Sequence, residues 1–80
     1  MNKYQLTEYA ELLFSAAVYK TENITDAEDL VQDTLIAALA AIDQKKEISD
    51  PKGWLMTVLN RRYYDMLRRK YRKPLVSFDV

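Results

Sequence analysis

The chain contains neither cysteine nor histidine. Without them it can form no disulfide bond and no thiolate or imidazole zinc site. The usual histidine general base is also missing, so no serine has a partner that could activate it as a nucleophile. The sequence has no glycine-rich phosphate loop, and its acidic residues follow no calcium-loop pattern. We therefore predict no catalytic residue, no metal site and no cofactor.

Long apolar segments are missing too. No apolar run approaches the roughly 18 residues that a membrane span requires, and the N-terminus carries no secretory signal of basic and then apolar residues. Together with the lack of cysteine, this pattern fits a protein of the reducing cytoplasm. A chain of 80 residues can bury one modest core, so we expect a single domain that is stable by only a few kcal/mol.

Turn-forming residues are scarce, since the chain has one glycine and two prolines. Apolar residues recur at three- and four-residue spacing, whereas alternation of period two is absent, so the predicted fold class is all-α. We expect a small three-helix bundle, with a four-helix bundle as the alternative. The predicted helices cover about residues 3–20, 25–42 and 51–73.

Capping residues set the predicted helix boundaries. Thr25 and Glu28 have the spacing of a capping box at the start of the second helix. Asp50 precedes Pro51 as an N-cap followed by proline at the first position of the third helix. Pro74 is expected to end that helix, because the residue before a proline avoids the helical conformation. We expect the residues after it to be extended or disordered.

Each predicted helix has an apolar face, which we assign to the core. At about 100° per residue, the members of each face lie on one side of their helix. They are Leu6, Tyr9, Leu13, Ala16, Ala17 and Lys20 in the first helix, with Leu12 beside them, Ala27, Leu30, Val31, Thr34, Leu35, Ala38, Leu39 and Ile42 in the second, and Leu55, Val58, Leu59, Tyr63, Met66 and Leu67 in the third.

The net charge of zero conceals an uneven distribution along the chain. Residues 1–51 carry four basic and ten acidic side chains, a net charge of −6. Residues 52–80 carry eight basic and two acidic side chains, a net charge of +6. This asymmetry indicates either two partners of opposite charge, with nucleic acid for the basic half, or mutual neutralisation of the halves within the fold.

The second helix carries a polar strip opposite its apolar face, with one aliphatic residue among acids. Its members are Asp29, Gln32, Asp33, Ile36 and Ala40. Such a narrow surface could hold a partner helix, with basic partner groups at the rim and Ile36 as an apolar anchor. The alternative is a solvated face with one exposed isoleucine, which is common in proteins.

The third helix is rich in cations and aromatic residues. The cations are Arg61, Arg62, Arg68, Arg69, Lys70, Arg72 and Lys73, and Trp54, Tyr63, Tyr64 and Tyr71 stand before or among them. Cations that follow phosphates, together with aromatic faces that stack on bases, favour a single-stranded nucleic acid as partner. Stabilisation of the helix dipole is the alternative for the cations, and a place in the core is the alternative for Tyr63 and Trp54.

Three segments resemble region 2 of the sigma-70 family, in the version of the extracytoplasmic-function (ECF) group. The run 26–35, DAEDLVQDTL, is similar to the family's D-A-E-D-L-V-Q-E-T-F. Residues 51–58, PKGWLMTV, resemble its P-x-x-W-L-x-x-I, and residues 65–69, DMLRR, resemble its D-x-L-R-R. The three matches stand in the family's order and spacing and cover about residues 4–73.

The resemblance implies a bacterial transcription initiation factor that docks on core RNA polymerase. In this family the second helix binds the coiled-coil clamp helices of the β′ subunit. The positions that match are Asp29, Gln32 and Asp33, with Ile36 as the apolar anchor of the same strip. An anti-sigma factor is a further candidate partner.

The resemblance also implies recognition and melting of the promoter −10 element. The family holds the non-template strand as single-stranded DNA, with one base flipped into a loop pocket. The loop candidates are Lys45, Lys46, Ile48 and Ser49. The helix candidates are Thr57, Asn60, Arg61 and Tyr64, with Arg68 and Arg69 on phosphates.

The chain departs from the family in two respects. Many relatives have asparagine seven residues after the tryptophan, where this chain has Arg61, with Asn60 one position earlier. A shift of one residue rotates a helical side chain by about 100°, so Asn60 cannot simply replace the missing asparagine. The family's C-terminal domain, which reads the −35 element, does not follow. We expect residues 1–73 to form region 2 and residues 74–80 to begin the linker of a longer protein, with a natural one-domain protein as the alternative.

Two other functions remain open from the sequence. A helical adaptor could keep the polymerase-binding strip and lack DNA binding. A nucleic-acid module of unrelated origin would ignore polymerase and bind DNA or RNA without sequence preference and with steep salt dependence.

Overall fold

The computed structural model describes the backbone of residues 1–78 and the side chains of residues 1–71. Over these residues the chain forms three helices and no strand: α1 (Lys3–Thr21), α2 (Ile24–Asp43) and α3 (Pro51–Phe78). Each helix packs against the other two, which confirms the predicted all-α three-helix bundle. None of the helices in this part of the chain is both long and apolar enough to cross a membrane.

One cluster of buried side chains forms the core. It contains Leu6, Leu13, Ala17, Ala27, Leu30, Ala38, Leu55, Leu59 and Met66, all of which the apolar faces predicted. Thr34 is also buried, and its hydroxyl donates a hydrogen bond to the Leu30 carbonyl at 2.8 Å. Thr34 is the one polar residue among the buried side chains that the structure describes, and this bond satisfies its hydroxyl.

The prediction that Leu39 belongs to the core is wrong. Its side chain is 41% exposed, whereas Ala41, which was not predicted, is buried. The buried line of α2 runs through Leu30, Thr34 and Ala38 to Ala41. Leu39 lies two residues from Ala41, about 200° around the helix axis, and so it faces solvent.

The predicted capping box of Thr25 and Glu28 is also wrong. The helix begins earlier, because the side chain of Asn23 accepts the backbone N–H of Asp26 at 2.9 Å. Asparagine is at least as good an N-cap as threonine, and its position lets Ile24 and Thr25 join the first turn. An unpredicted capping box opens α1 instead, where Asn2 and Gln5 exchange side-chain to backbone hydrogen bonds of 2.9 and 3.0 Å.

The start of α3 agrees with its prediction, but the end does not. Asp50 accepts the Gly53 N–H at 3.2 Å, and a Cβ atom at Gly53 would lie 2.3 Å from the Asp50 carboxylate. The single glycine therefore leaves room for the cap. The prediction that Pro74 ends the helix is wrong, because α3 continues to Phe78. Proline has a φ that is compatible with a helix, although it has no N–H to donate to the carbonyl four residues earlier. The last two residues of the predicted tail lie outside the described residues.

The end of α2 is held by a Schellman motif. Lys45 adopts the left-handed conformation at φ 56°, and its N–H donates to the Ile42 carbonyl at 2.9 Å. The N–H of Lys46 reaches back to the Ala41 carbonyl at 3.1 Å. These two bonds satisfy helix-end carbonyls and set the direction in which the loop leaves α2.

Replacing Lys45 with glycine is expected to raise the free energy of unfolding by about 1 kcal/mol. A side chain in the left-handed conformation costs roughly 1–2 kcal/mol, and glycine removes this cost. Part of the gain is offset because glycine has more conformational freedom to lose when the chain folds. Urea unfolding measures the change. The matched control is Lys46→Gly, which removes the same charge where no left-handed φ occurs and should destabilise the domain. Equal effects of the two substitutions would contradict the prediction.

Candidate functional site

The polar strip of α2 is exposed along its length and has an apolar centre. Asp29, Gln32 and Ala40 are exposed, Asp33 is half-buried, and Ile36 is 64% exposed. The exposed Leu39 lies three residues from Ile36, so the two aliphatic side chains are neighbours on the helix surface. We call these six residues the acidic face. Sequence reasoning missed Leu39 because it assigned this residue to the core.

Four of the predicted DNA-contacting residues form one exposed line along α3. Thr57, Arg61, Tyr64 and Arg68 follow each other at i, i+4, i+7 and i+11, and all are exposed. We call this line the outer strip. Tyr64 is 60% exposed, and its ring centroid lies 5.6 Å from that of Tyr63. The line therefore combines two cations with an accessible aromatic ring.

Two other predicted DNA contacts lie off the outer strip. Asn60 is half-buried, and its Oδ1 is buried without a hydrogen-bond partner, the one such side-chain atom in the described part of the chain. Arg69 lines a groove of about 440 Å³ between α3 and α2, opposite Asp29 and Asp33. Arg69 therefore lies beside the acidic face.

The predicted loop residues lie between α2 and α3. Lys45, Lys46 and Ser49 are exposed, and Ile48 is half-buried. The Schellman motif holds the two lysines, whereas the loop after them has no regular structure. Lys46 lines a second groove together with residues of α2 and α3.

This second groove, which we call the Trp54 groove, runs between the C-terminal part of α2 and the first half of α3. It has a volume of about 360 Å³, and its floor is small and apolar, with three alanines of α2 and Val58. Its polar lining includes Gln44, Lys46, Arg61, Arg62 and Asp65. Trp54 is half-buried, packs against the core and also lines the groove, so both functions considered for it are compatible with its position.

Few of the oppositely charged side chains that the structure describes form ion pairs with each other. Among the described residues one salt bridge links the acidic and basic halves, from Lys70 on α3 to Asp26 on α2. The hydrogen bond from Lys70 to Asp26 raises the pKa of the lysine, so the pair contributes to stability at neutral pH and is lost as the pH rises through this raised pKa. The second pair, Arg68 with Asp65, lies within α3. Neutralisation within the fold therefore accounts for little of the charge asymmetry.

Comparison with known proteins identifies relatives of the chain. The family described as Sigma-70 region 2 matches residues 6–73. The chain is 40% identical over 57 residues to the ECF RNA polymerase sigma factor EcfG of Rhodopseudomonas palustris (strain TIE-1). The aligned segment is 71% of this chain and spans 29% of the length of that relative. No solved structure matches the chain.

Proposed function

The chain belongs to the sigma-70 region 2 family, in its ECF group, and on this basis we propose that it serves bacterial transcription initiation as a polymerase-docking and promoter-melting domain. The family match covers residues 6–73, which include both the acidic face and the outer strip. The chain spans 29% of the length of its ECF relative, so the proposal concerns this domain alone and includes no catalytic step.

The acidic face is the proposed docking surface for the β′ clamp coiled coil. Asp29 and Asp33 can form charge-assisted hydrogen bonds with basic groups of a partner helix. Ile36 and Leu39 supply the apolar centre, and the small side chain of Ala40 allows the partner to approach closely. Two exposed aliphatic residues that follow two carboxylates on one helix face are the observation that carries the proposal, since the core does not need them.

The outer strip and the loop are the proposed surface for the non-template strand of the −10 element. Arg61 and Arg68 can follow phosphates, and Tyr64 offers a face on which a base can stack. Lys45 and Lys46 extend this positive surface into the loop. Extraction of a base from the duplex costs a few kcal/mol, which stacking and hydrogen bonds in a pocket offset.

The experiment that tests the proposal measures two affinities in sequence. The chain is first titrated with the isolated clamp coiled coil of a bacterial RNA polymerase, and then the mixture is titrated with single-stranded −10 oligonucleotides. Binding at both steps supports the proposal. Docking without DNA binding indicates an adaptor. DNA binding without docking, with steep salt dependence and no sequence preference, indicates an unrelated nucleic-acid module.

Removing Arg68 and Arg69 together should weaken DNA binding by the same factor for all −10 sequences. Both side chains are exposed and act through phosphates rather than bases. The double variant Arg68→Ala, Arg69→Ala should lower the salt slope of log Kobs by about 1.4, because each single-strand phosphate contact contributes about 0.7. Fluorescence anisotropy at several salt concentrations measures the slope. A loss of discrimination between −10 sequences would mean that these arginines read bases.

A further inference from the structure

The Trp54 groove offers apolar side chains and one aromatic ring to a ligand. Ala41 and Val58 are buried and line it together with the half-buried Trp54. The volume of about 360 Å³ lies at the lower end of the range for small-ligand sites. Aromatic side chains bind single-stranded nucleic acids by stacking on base faces. The volume and the aromatic lining therefore suit one nucleobase.

The charges around the groove favour a ligand that carries phosphate. Lys46, Arg61 and Arg62 contribute three positive charges to its lining. Asp65 contributes one negative charge, and Arg68 already pairs with that carboxylate. The excess of positive charge favours an anionic ligand, such as a strand that carries phosphates, over a neutral or cationic one.

The hydrogen-bonding groups in the groove discriminate between bases. The forked donors of an arginine match the O6 and N7 acceptors of guanine, and a carboxylate such as Asp65 accepts from the guanine amino group. Adenine and cytosine would turn an amino donor toward the arginine fork. Thymine offers one acceptor on that edge beside a methyl group. Guanine is the base whose acceptors and donors both find partners here.

Arg61 is the residue that links this groove to the outer strip. It lines the groove and is also the second member of the exposed line that begins at Thr57. Asn60 cannot take its place in the groove, because its amide oxygen is buried elsewhere and its position is rotated by about 100°. A strand that follows the outer strip would pass the groove at Arg61.

We propose that the Trp54 groove binds a guanine of the captured strand and that Arg61 sets this preference by pairing with O6 and N7. The inference rests on the proposed capture of the −10 strand and adds the identity of one base to it. Trp54 supplies the stacking face, and Asp65 accepts the hydrogen bonds of the base's amino group.

The test uses the chain with the clamp coiled coil and single-stranded oligonucleotides in which each position in turn carries guanine or another base. Fluorescence anisotropy should show one position at which guanine binds about tenfold more tightly than the other bases, as one bidentate pair allows. At that position 7-deazaguanine, which keeps O6 but lacks the N7 acceptor, should lose most of the preference for guanine. Inosine, which lacks the amino group, should keep the contact with Arg61 and lose only the contact with Asp65.

Substitutions test whether Arg61 is the residue that sets the preference for guanine. Arg61→Lys keeps the positive charge without the fork, so it should abolish the preference for guanine while retaining most of the affinity for other bases. The matched control is Lys45→Ala, which removes an exposed loop cation that does not line the groove and should lower affinity equally for all bases. Circular dichroism checks that both variants fold.

The outcomes separate this inference from the proposed function. Binding without any preference for guanine, or a preference that survives Arg61→Lys or 7-deazaguanine, overturns the inference and leaves strand capture standing. Failure of every oligonucleotide to bind, with docking intact, overturns strand capture itself and the inference with it.

Discussion

Asp29→Arg is expected to lower the affinity of the chain for the β′ clamp coiled coil by about 100-fold and to leave its fold intact. Loss of one partner of a close charge pair typically costs 2–5 kcal/mol in binding, and the new cation adds repulsion against the basic groups of the proposed partner. In addition, the arginine would stand beside Arg69 and Lys70, which line the same groove. Asp29 is exposed, so the helical core does not depend on it.

Two further variants test whether the loss of docking is specific to the charge at Asp29. Glu8→Arg changes the charge by the same amount on an exposed part of α1, and it should alter docking by less than about threefold, as expected for a remote charge at physiological salt. Asp29→Asn removes the charge without adding a cation and should give an intermediate affinity. Isothermal titration measures the affinities, and circular dichroism monitors folding. Equal losses for Asp29→Arg and Glu8→Arg, or unfolding of the former, would reject the acidic face as the docking surface.

Leu30→Ala is expected to lower the free energy of unfolding by about 3 kcal/mol, the ordinary cost of emptying the space of a fully buried leucine. Leu30 has no exposed surface and belongs to the core cluster on α2. A domain of this size is stable by only about 5 kcal/mol, so the variant should retain little stability. Urea unfolding followed by circular dichroism gives the value.

The matched control for Leu30→Ala is the same substitution at the exposed leucine of the same helix. Leu39→Ala should cost less than about 1 kcal/mol of stability, because that side chain is already 41% exposed. It should instead weaken docking on the clamp coiled coil by about tenfold, since it removes half of the apolar centre of the acidic face. If Leu39→Ala destabilised the domain as much as Leu30→Ala, Leu39 would belong to the core after all.

Capping rules predicted a helix boundary correctly where the local sequence left few alternative starts. Asp50 was predicted as a cap because Pro51 lacks an N–H and has a fixed φ, so few other starts are compatible with that pair. At the start of α2 the chain offers two competing caps, Asn23 and Thr25, and spacing alone does not rank them. At Pro74 the general rule that a proline ends a helix did not hold, because α3 continues to Phe78.

Surface organisation was less predictable, because it depends on how helices cross. The acidic face lies on one helix, and periodicity found it except for Leu39, whereas the residues of the outer strip were predicted from the family resemblance. The Trp54 groove combines residues of α2, the loop and α3, and the sequence contains no distance between those elements. The position of Arg69 beside Asp29 has the same origin. Sequence reasoning therefore assigned Arg69 to DNA alone.

Arg69 makes the two proposed surfaces genetically dependent on each other. Its guanidinium shares a groove with Asp29 and Asp33 while its place in the chain follows Arg68 on the basic helix. A substitution at this position changes the electrostatic potential that both a polymerase and a DNA strand meet. Effects of paired substitutions at residues 29 and 69 should therefore be non-additive, and the epistasis would restrict which amino acids the lineage of this domain can accept at either position.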